Sequence, residues 1–286
     1  MLTGTNGDNG AVMRPVRQHI FGWLGFALLL SSAVSVHSQD VDRIARKLNW
    51  CKAHKDDFDI IFVGSSRVFH GLSPRIFDQE TRASGQHWRS FNLGMDKMGM
   101  AQSAAIIREL VATGPRRLKY VFFELEPGMA TLAAEQHSPV QGEPPLRSSG
   151  NGLGPDGDGF FPMNRPMSPA VESFYQQRLS AVKANPAPRA PNEAARAELG
   201  HFYEEMAARN IQVIFVVAPS LRAAHGSGSN APSGSPLFSY DDVVRYAPLY
   251  DEANRMDAQH LNARGAEIFS RILAREFLAK AGSTAR

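Results

Sequence analysis

The chain has 286 residues, 43% hydrophobic and 21% charged, which excludes wholesale disorder and supplies enough apolar material for one large domain. Its 31 basic residues are scattered among 28 acidic ones, so the net charge of +3 forms no stripe that could track phosphates, and a nucleic-acid partner is not expected. Cys51 is the single cysteine, which excludes an internal disulfide, and its neighbours "NWCKAH" bring no second thiol for a metal site.

Residues 1–19 form a basic leader in which Arg14 and Arg17 precede an uninterrupted apolar run from Ile20 to Leu30, extended more weakly to Val36. Residues 20–36 read either as a signal-peptide core, with Val36-His37-Ser38 as a small-residue cleavage site, or as an uncleaved membrane anchor, and the anchor is favoured. Arg43, Arg46 and Lys47 follow the segment, so basic residues flank it on both sides. Long domains translocate largely regardless of such charges, and export of everything after residue 36 is expected, leaving the domain in the periplasm or outside the cell.

Val41, Ile44 and Leu48 have helical spacing, which predicts a linker helix within 37–56 ahead of a domain covering 57–286. In "FDIIFVGSSRVFHGLSP" an apolar run ends at Val63 and passes at once into Gly64, Ser65 and Ser66, the pattern of a buried parallel strand followed by a sharp turn. Ser73 with Pro74 then starts a helix. "WRSFNLG" is a second strand ending at Asn92, and "GMAQSAAIIRELVATG" is a helix with Ile106, Leu110 and Val111 inward and Gly114 as its stop. "LKYVFFELEP" is a third strand, "PNEAARAELGHFYEEMAARN" a helix, and Ile211 to Ala218 a fourth strand. The last helix carries Ile268, Ile272, Leu273 and Phe277 on one face.

Apolar strands alternating with helices predict an α/β fold: a doubly wound, flavodoxin-like, mostly parallel sheet with helices on both faces. Two Pro/Gly/Ser-rich segments, near 128–191 and 222–236, interrupt the alternation and read as loops or covers. In such a sheet ligands sit beyond the carboxyl ends of the strands, where Ser66, Gly94, Glu126 and Ser220 all fall.

Near the other end of the chain, "RMDAQHLN" sets Asp257 three residues before His260, with Asn262 just ahead of the last helix. In a turn this spacing lets the carboxylate hold one imidazole nitrogen and leaves the other as a general base. The alternative is a solvated loop in which Asn262 merely caps the helix. "AHKDDFD", with His54, Asp56, Asp57 and Asp59, precedes the first strand at the face opposite the expected site and reads as a solvated loop, not a metal centre. "SGNGLGPDGDGF" lacks both the Lys-Ser/Thr of a phosphate loop and the closing Glu of a calcium loop.

The blocks "VGSSR", "FNLGMDKMG", "FFELEP" and "DAQHLN" together resemble the SGNH hydrolase (GDSL-like esterase) superfamily, over roughly Phe58 to Leu278. The resemblance implies Ser66 as nucleophile, His260 as base and Asp257 as the acid that orients it. Ser65 stands where that family has Asp. It further implies an oxyanion-binding N–H from Gly99 or Gly94, with Gly99 the better placed because it directly precedes a helix. The third block departs from the family: Glu124-Leu125-Glu126-Pro127 replaces the expected Gly-x-Asn-Asp. Losing one oxyanion donor costs on the order of a hundred- to a thousandfold in rate. Asn92 or Arg67 are the candidate substitutes, although for Arg67 an ion pair with Glu124 or Glu126 is preferred, and for His70 a loop or helix-start position.

With its membrane segment and Gly-Ser-Ser, the chain is similar to the surface-glycan branch of the superfamily. The resemblance implies a serine esterase acting on O-acyl, especially O-acetyl, groups of a cell-surface or exported polysaccharide, with no cofactor. The alternatives are an O-acetyltransferase on the same substrates, or a catalytically weak glycan-binding or scaffold protein working with polysaccharide-export machinery.

Overall fold

The structure, a computed structural model, describes residues 43–126, 153–184, 192–221 and 230–284. The apolar segment 20–36 and much of the two expected insertions lie outside these residues. Among the described residues, no helix is long and apolar enough to cross a membrane.

Five strands form one parallel sheet: β1 (Ile60–Val63), β2 (Ser90–Asn92), β3 (Tyr120–Glu124), β4 (Gln212–Val217) and β5 (Leu237–Ser239), in the order β2-β1-β3-β4-β5. Register places Phe62 beside Asn92 on one side and Phe122 on the other, and Glu124 beside Val216. Because side chains alternate across a strand, the sheet feeds two cores. Ile61, Val63, Val121, Phe123, Phe215 and Val217 pack on one face. The helices there are α1 (43–53), α4 (Met100–Val111) and α6 (Glu193–Ala207). Ile60, Phe62, Phe122, Ile214, Val216 and Phe238 pack on the other, beneath α3 (Pro74–Ala83), α5 (Pro169–Ala184) and α7 (Ala263–Thr284). Burial on both faces explains why β1, β3 and β4 read as long apolar runs.

The remaining helix, α2 (Ser66–Gly71), leaves the end of β1 directly. Local signals account for most boundaries. Ser73 accepts from the Ile76 N–H with Pro74 in the first turn of α3, and Asn192 accepts from the Ala195 N–H at the start of α6. Gly114, at φ +68°, follows α4 and donates its N–H to Val111. On α7, Phe269, Leu273 and Phe277 are buried, with Ile268 and Ile272 packed against them.

Three expectations need correction. Helix α1 is not a bare linker, because Leu48 and Cys51 enter the core of the domain. The segment near 128–191 is not loop throughout: α5 lies within it, burying Tyr175, Leu179 and Val182, and the Tyr175 hydroxyl donates to the Tyr250 carbonyl. A fifth strand, β5, follows the second insertion at the sheet edge, and only Phe238 of its three residues is buried. Such a short edge strand carries too little apolar pattern to be seen in sequence.

Candidate active site

The site is built at the carboxyl edge of the sheet, beginning where β1 runs into α2. Gly64 is required by close approach: a Cβ there would lie 2.5 Å from both Cβ and Oε2 of Glu124 and 2.7 Å from Val68. Ser65 is the N-cap of α2, its hydroxyl accepting from the Arg67 N–H at 3.3 Å, and its own N–H donates to Glu124 Oε2 at 2.6 Å. Ser66, first residue of the helix, is thereby held at the tip of the turn and is partly exposed.

Ser66 Oγ lies 2.8 Å from His260 Nε2, and His260 Nδ1 lies 2.8 Å from Asp257 Oδ2 and 3.1 Å from Oδ1. A carboxylate only accepts, so Nδ1 carries the proton and Nε2 presents its lone pair to the Ser66 hydroxyl. The sequence between the two acid–base residues makes this geometry. Asp257 Oδ1 also accepts the N–H groups of Gln259 (2.6 Å) and His260 (2.8 Å), closing a turn that carries the ring back over the carboxylate. Burial alone would raise the Asp257 carboxyl, but the His260 ring and these N–H groups outweigh it and hold it down at about 2. The buried Arg255 donates to the Asp257 carbonyl at 3.2 Å and to that of Pro219 at 3.0 Å, with its guanidinium over the rings of Tyr175 and Tyr250. Asn262 accepts from the Gly265 N–H and caps α7, as its position suggested.

Around the Ser66 turn, Arg67 pairs through Nε with Glu124 Oε1 (2.6 Å) and through Nη2 with Glu126 Oε1 (2.9 Å), so both expected ion pairs form. Burial disfavours the Arg67 charge, but the two carboxylates overcome it and lift its pKa above the ordinary value. Glu124 therefore serves two groups, pinning α2 to the end of β3.

The oxyanion candidates separate clearly. Asn92 is fully buried and its Nδ2 donates both protons, to the carbonyls of Val68 (2.8 Å) and Leu72 (2.7 Å), while its Oδ1 accepts the Gly94 N–H at 2.8 Å. In this arrangement neither the Asn92 amide nor the Gly94 N–H has a proton left for a substrate. Gly94 instead allows β2 and α2 to meet closely, since a Cβ there would lie 2.6 Å from the Phe69 nitrogen. Gly99 is the N-cap of α4, and its N–H and that of Ser66 donate to no group among the described residues.

The sequence misplaced one residue beside the site and gave no sign of another. His70 is not a loop or helix-start residue but lies buried in the last turn of α2, bonded to the Phe161 carbonyl (2.7 Å) and to Asp96 (2.9 Å). Its spacing of four from Ser66 was the available signal, because that interval places both on one helix face. Lys47, from α1, is buried and donates to the carbonyls of Gly94 (2.7 Å) and Gly159 (2.8 Å), and burial draws its pKa well below the usual lysine value. No spacing rule connects Lys47 to these partners.

The "AHKDDFD" cluster is only partly solvated. Asp59 is buried and accepts from the Arg89 N–H and from Arg117, while Asp56 pairs with Arg116. Among the described residues, no group of three or more His, Cys, Asp or Glu side chains is arranged to hold a metal ion.

Comparison of the chain with protein-family models, with curated proteins and with solved structures gives no match. The fold and site geometry therefore stand as the basis for any functional reading.

Proposed function

We propose that this chain is an SGNH-type serine esterase with a flavodoxin-like doubly wound domain, acting on O-acyl, especially O-acetyl, groups of a cell-surface or exported polysaccharide. One observation carries the reading: a partly exposed serine, an imidazole and a carboxylate are joined by 2.8 Å contacts in which the proton on His260 Nδ1 is fixed by Asp257. That arrangement is what a hydroxyl needs to become a nucleophile at neutral pH.

In this reading His260 Nε2 takes the Ser66 proton as Oγ attacks the ester carbonyl, and the N–H groups of Ser66 and Gly99 receive the developing oxyanion. His260 then protonates the departing sugar oxygen, leaving an acyl-Ser66. Water releases a carboxylate and regenerates the enzyme; a sugar hydroxyl in place of water makes the same intermediate a transferase. Residues 20–36 anchor the protein, and the domain is exported toward its glycan and the export machinery.

The bonding of Asn92, whose amide protons are both spent on α2, and the Glu124-x-Glu126 of the third block favour a second reading, a catalytically weak glycan-binding or scaffold protein, because neither block offers a side-chain amide to the oxyanion. Turnover of an aryl acetate, measured with and without an oligosaccharide acceptor, separates the readings. Acetate release that is lost in Ser66→Ala supports the esterase; acetylated acceptor formed at the expense of free acetate supports the transferase. No turnover by the folded wild type with either supports the binder.

A further inference from the structure

The stretch 160–166 joins two walls of the site. The Phe161 N–H donates to the Phe69 carbonyl of α2 at 3.2 Å, and the Phe161 carbonyl is bonded to His70, whose ring lies 6.4 Å from that of His260. Further along, the Met163 carbonyl accepts the Ala263 N–H at 2.7 Å, which ties the stretch to the first residue of α7. Between this stretch and the start of α7 lies a cleft of about 250 Å³. Asn262 lines it and stands two residues after His260, so the cleft continues directly from the turn that carries that ring.

Two arginines, Arg165 and Arg264, line the cleft from opposite walls. Both are exposed, and neither meets a carboxylate among the described residues. Other exposed arginines do: Arg75 sits on Asp156, Arg108 on Glu205 and Arg116 on Asp56. No residue lining the cleft is acidic, and Glu267, one turn along α7 from Arg264, lies outside the lining. Pro166 favours extended backbone at Arg165, which limits how that arginine is presented. Asn262 spends its amide on the Ala253 carbonyl and its oxygen on the Gly265 N–H, but the Asn164 amide makes no hydrogen bond among the described residues. Met163, Pro166 and Ala263 supply the apolar surface. Two unneutralised guanidinium groups on one small cleft concentrate positive potential, and their planar forks match a carboxylate. The volume is below that of sites for drug-sized ligands and suits a single sugar unit.

We propose that this cleft is a subsite for a carboxylate-bearing sugar unit, next in the chain to the unit whose ester meets Ser66, so that the polysaccharide is an acidic, uronate-containing one. Arg165 and Arg264 hold the carboxylate, the Asn164 amide meets a ring hydroxyl, and Met163 and Pro166 face the apolar side of the sugar ring. The inference names the substrate class of the proposed esterase and rests on that reading for the place of the ester. The cleft itself is tested by binding, without turnover.

The test is isothermal titration calorimetry on the full-length protein in a non-ionic detergent, with an oligogalacturonate and its fully methyl-esterified form, which keeps the sugars and removes the charge. The acid is expected to bind about tenfold more tightly than the ester at low salt, with the advantage shrinking as salt is raised. Arg165→Gln and Arg264→Gln are each expected to weaken binding of the acid by about fivefold, the scale of one exposed ion pair, and to leave binding of the ester unchanged. Arg209→Gln removes an equally exposed charge just beyond α6, on the other face of the sheet, and is expected to bind the acid as wild type does. Equal affinity for acid and ester, no binding of the acid, or a loss in Arg209→Gln as large as in the cleft variants overturns the proposal. A phosphorylated maltooligosaccharide that binds more tightly than the oligogalacturonate overturns the carboxylate assignment. Charge-dependent binding at the cleft without acyl turnover supports the subsite and counts against the esterase; aryl-acetate turnover with equal binding of acid and ester does the reverse.

Discussion

Asp257 accepts from one ring nitrogen and two backbone N–H groups, and that convergence is what turns a surface turn into an oriented acid–base element. A depressed carboxyl stabilises the fold above its unfolded value and loses that contribution as pH falls toward its folded value. With Asp257 at about 2, wild type is expected to exceed Asp257→Asn by about 2 kcal/mol in urea unfolding at neutral pH, with the gap closing between about pH 4 and pH 2. The same substitution is expected to lower acyl turnover by about four orders of magnitude, because an amide no longer enforces the tautomer. For Arg67, removing the guanidinium leaves Glu124, 1% exposed, as an uncompensated buried charge. Arg67→Ala is expected to cost about 3–5 kcal/mol in thermal or denaturant unfolding, and Glu124→Gln less, since it removes a charge and keeps an acceptor. At this scale the sequence was informative where spacing implies contact, as for Asp257 and His260. It was silent where contact joins distant positions, as for Lys47 with Gly159.

At the level of elements, the β1–α2 junction carries the most constraint. Gly64→Ala sets a methyl against the Glu124 side chain, which itself holds Ser65 and Arg67, so strain there spreads directly to the turn carrying Ser66. A loss of about 1–3 kcal/mol in unfolding free energy is expected, with a larger proportional loss of turnover than of stability. Helix α5 is secured mainly by three buried side chains and one hydroxyl, so Tyr175→Phe is expected to cost about 1 kcal/mol. The three longer strands, β1, β3 and β4, were legible because burial on both faces leaves no polar alternation. Helix α5 was not, since it lies between Pro-rich stretches and buries only Tyr175, Leu179 and Val182, a stripe too sparse to mark it among residues that suggest loops.

Over the whole molecule, a parallel sheet delivers the start of α2 and the turn before α7 to one edge, so that groups separated by 194 residues come within hydrogen-bond distance. The alternation of elements announced that topology, and the residue types at the strand ends pointed to the contact between Ser66 and His260. The sequence could not reveal that Asn92 is spent on the backbone of α2, because an amide's partners depend on how closely two elements approach. In the proposed esterase the oxyanion would fall to backbone N–H groups, which have no side-chain signature. If residues 20–36 serve as an uncleaved anchor, as proposed, intact mass is expected to equal the full chain; a mass lacking the residues up to about the Val36-His37-Ser38 site contradicts that proposal.

The most direct measurement is covalent labelling of the full-length protein with a fluorophosphonate, followed by peptide mapping. The account predicts one adduct, on Ser66, abolished by Ser66→Ala and strongly slowed by His260→Ala. A folded protein that takes up no label, or takes it on another serine, contradicts it.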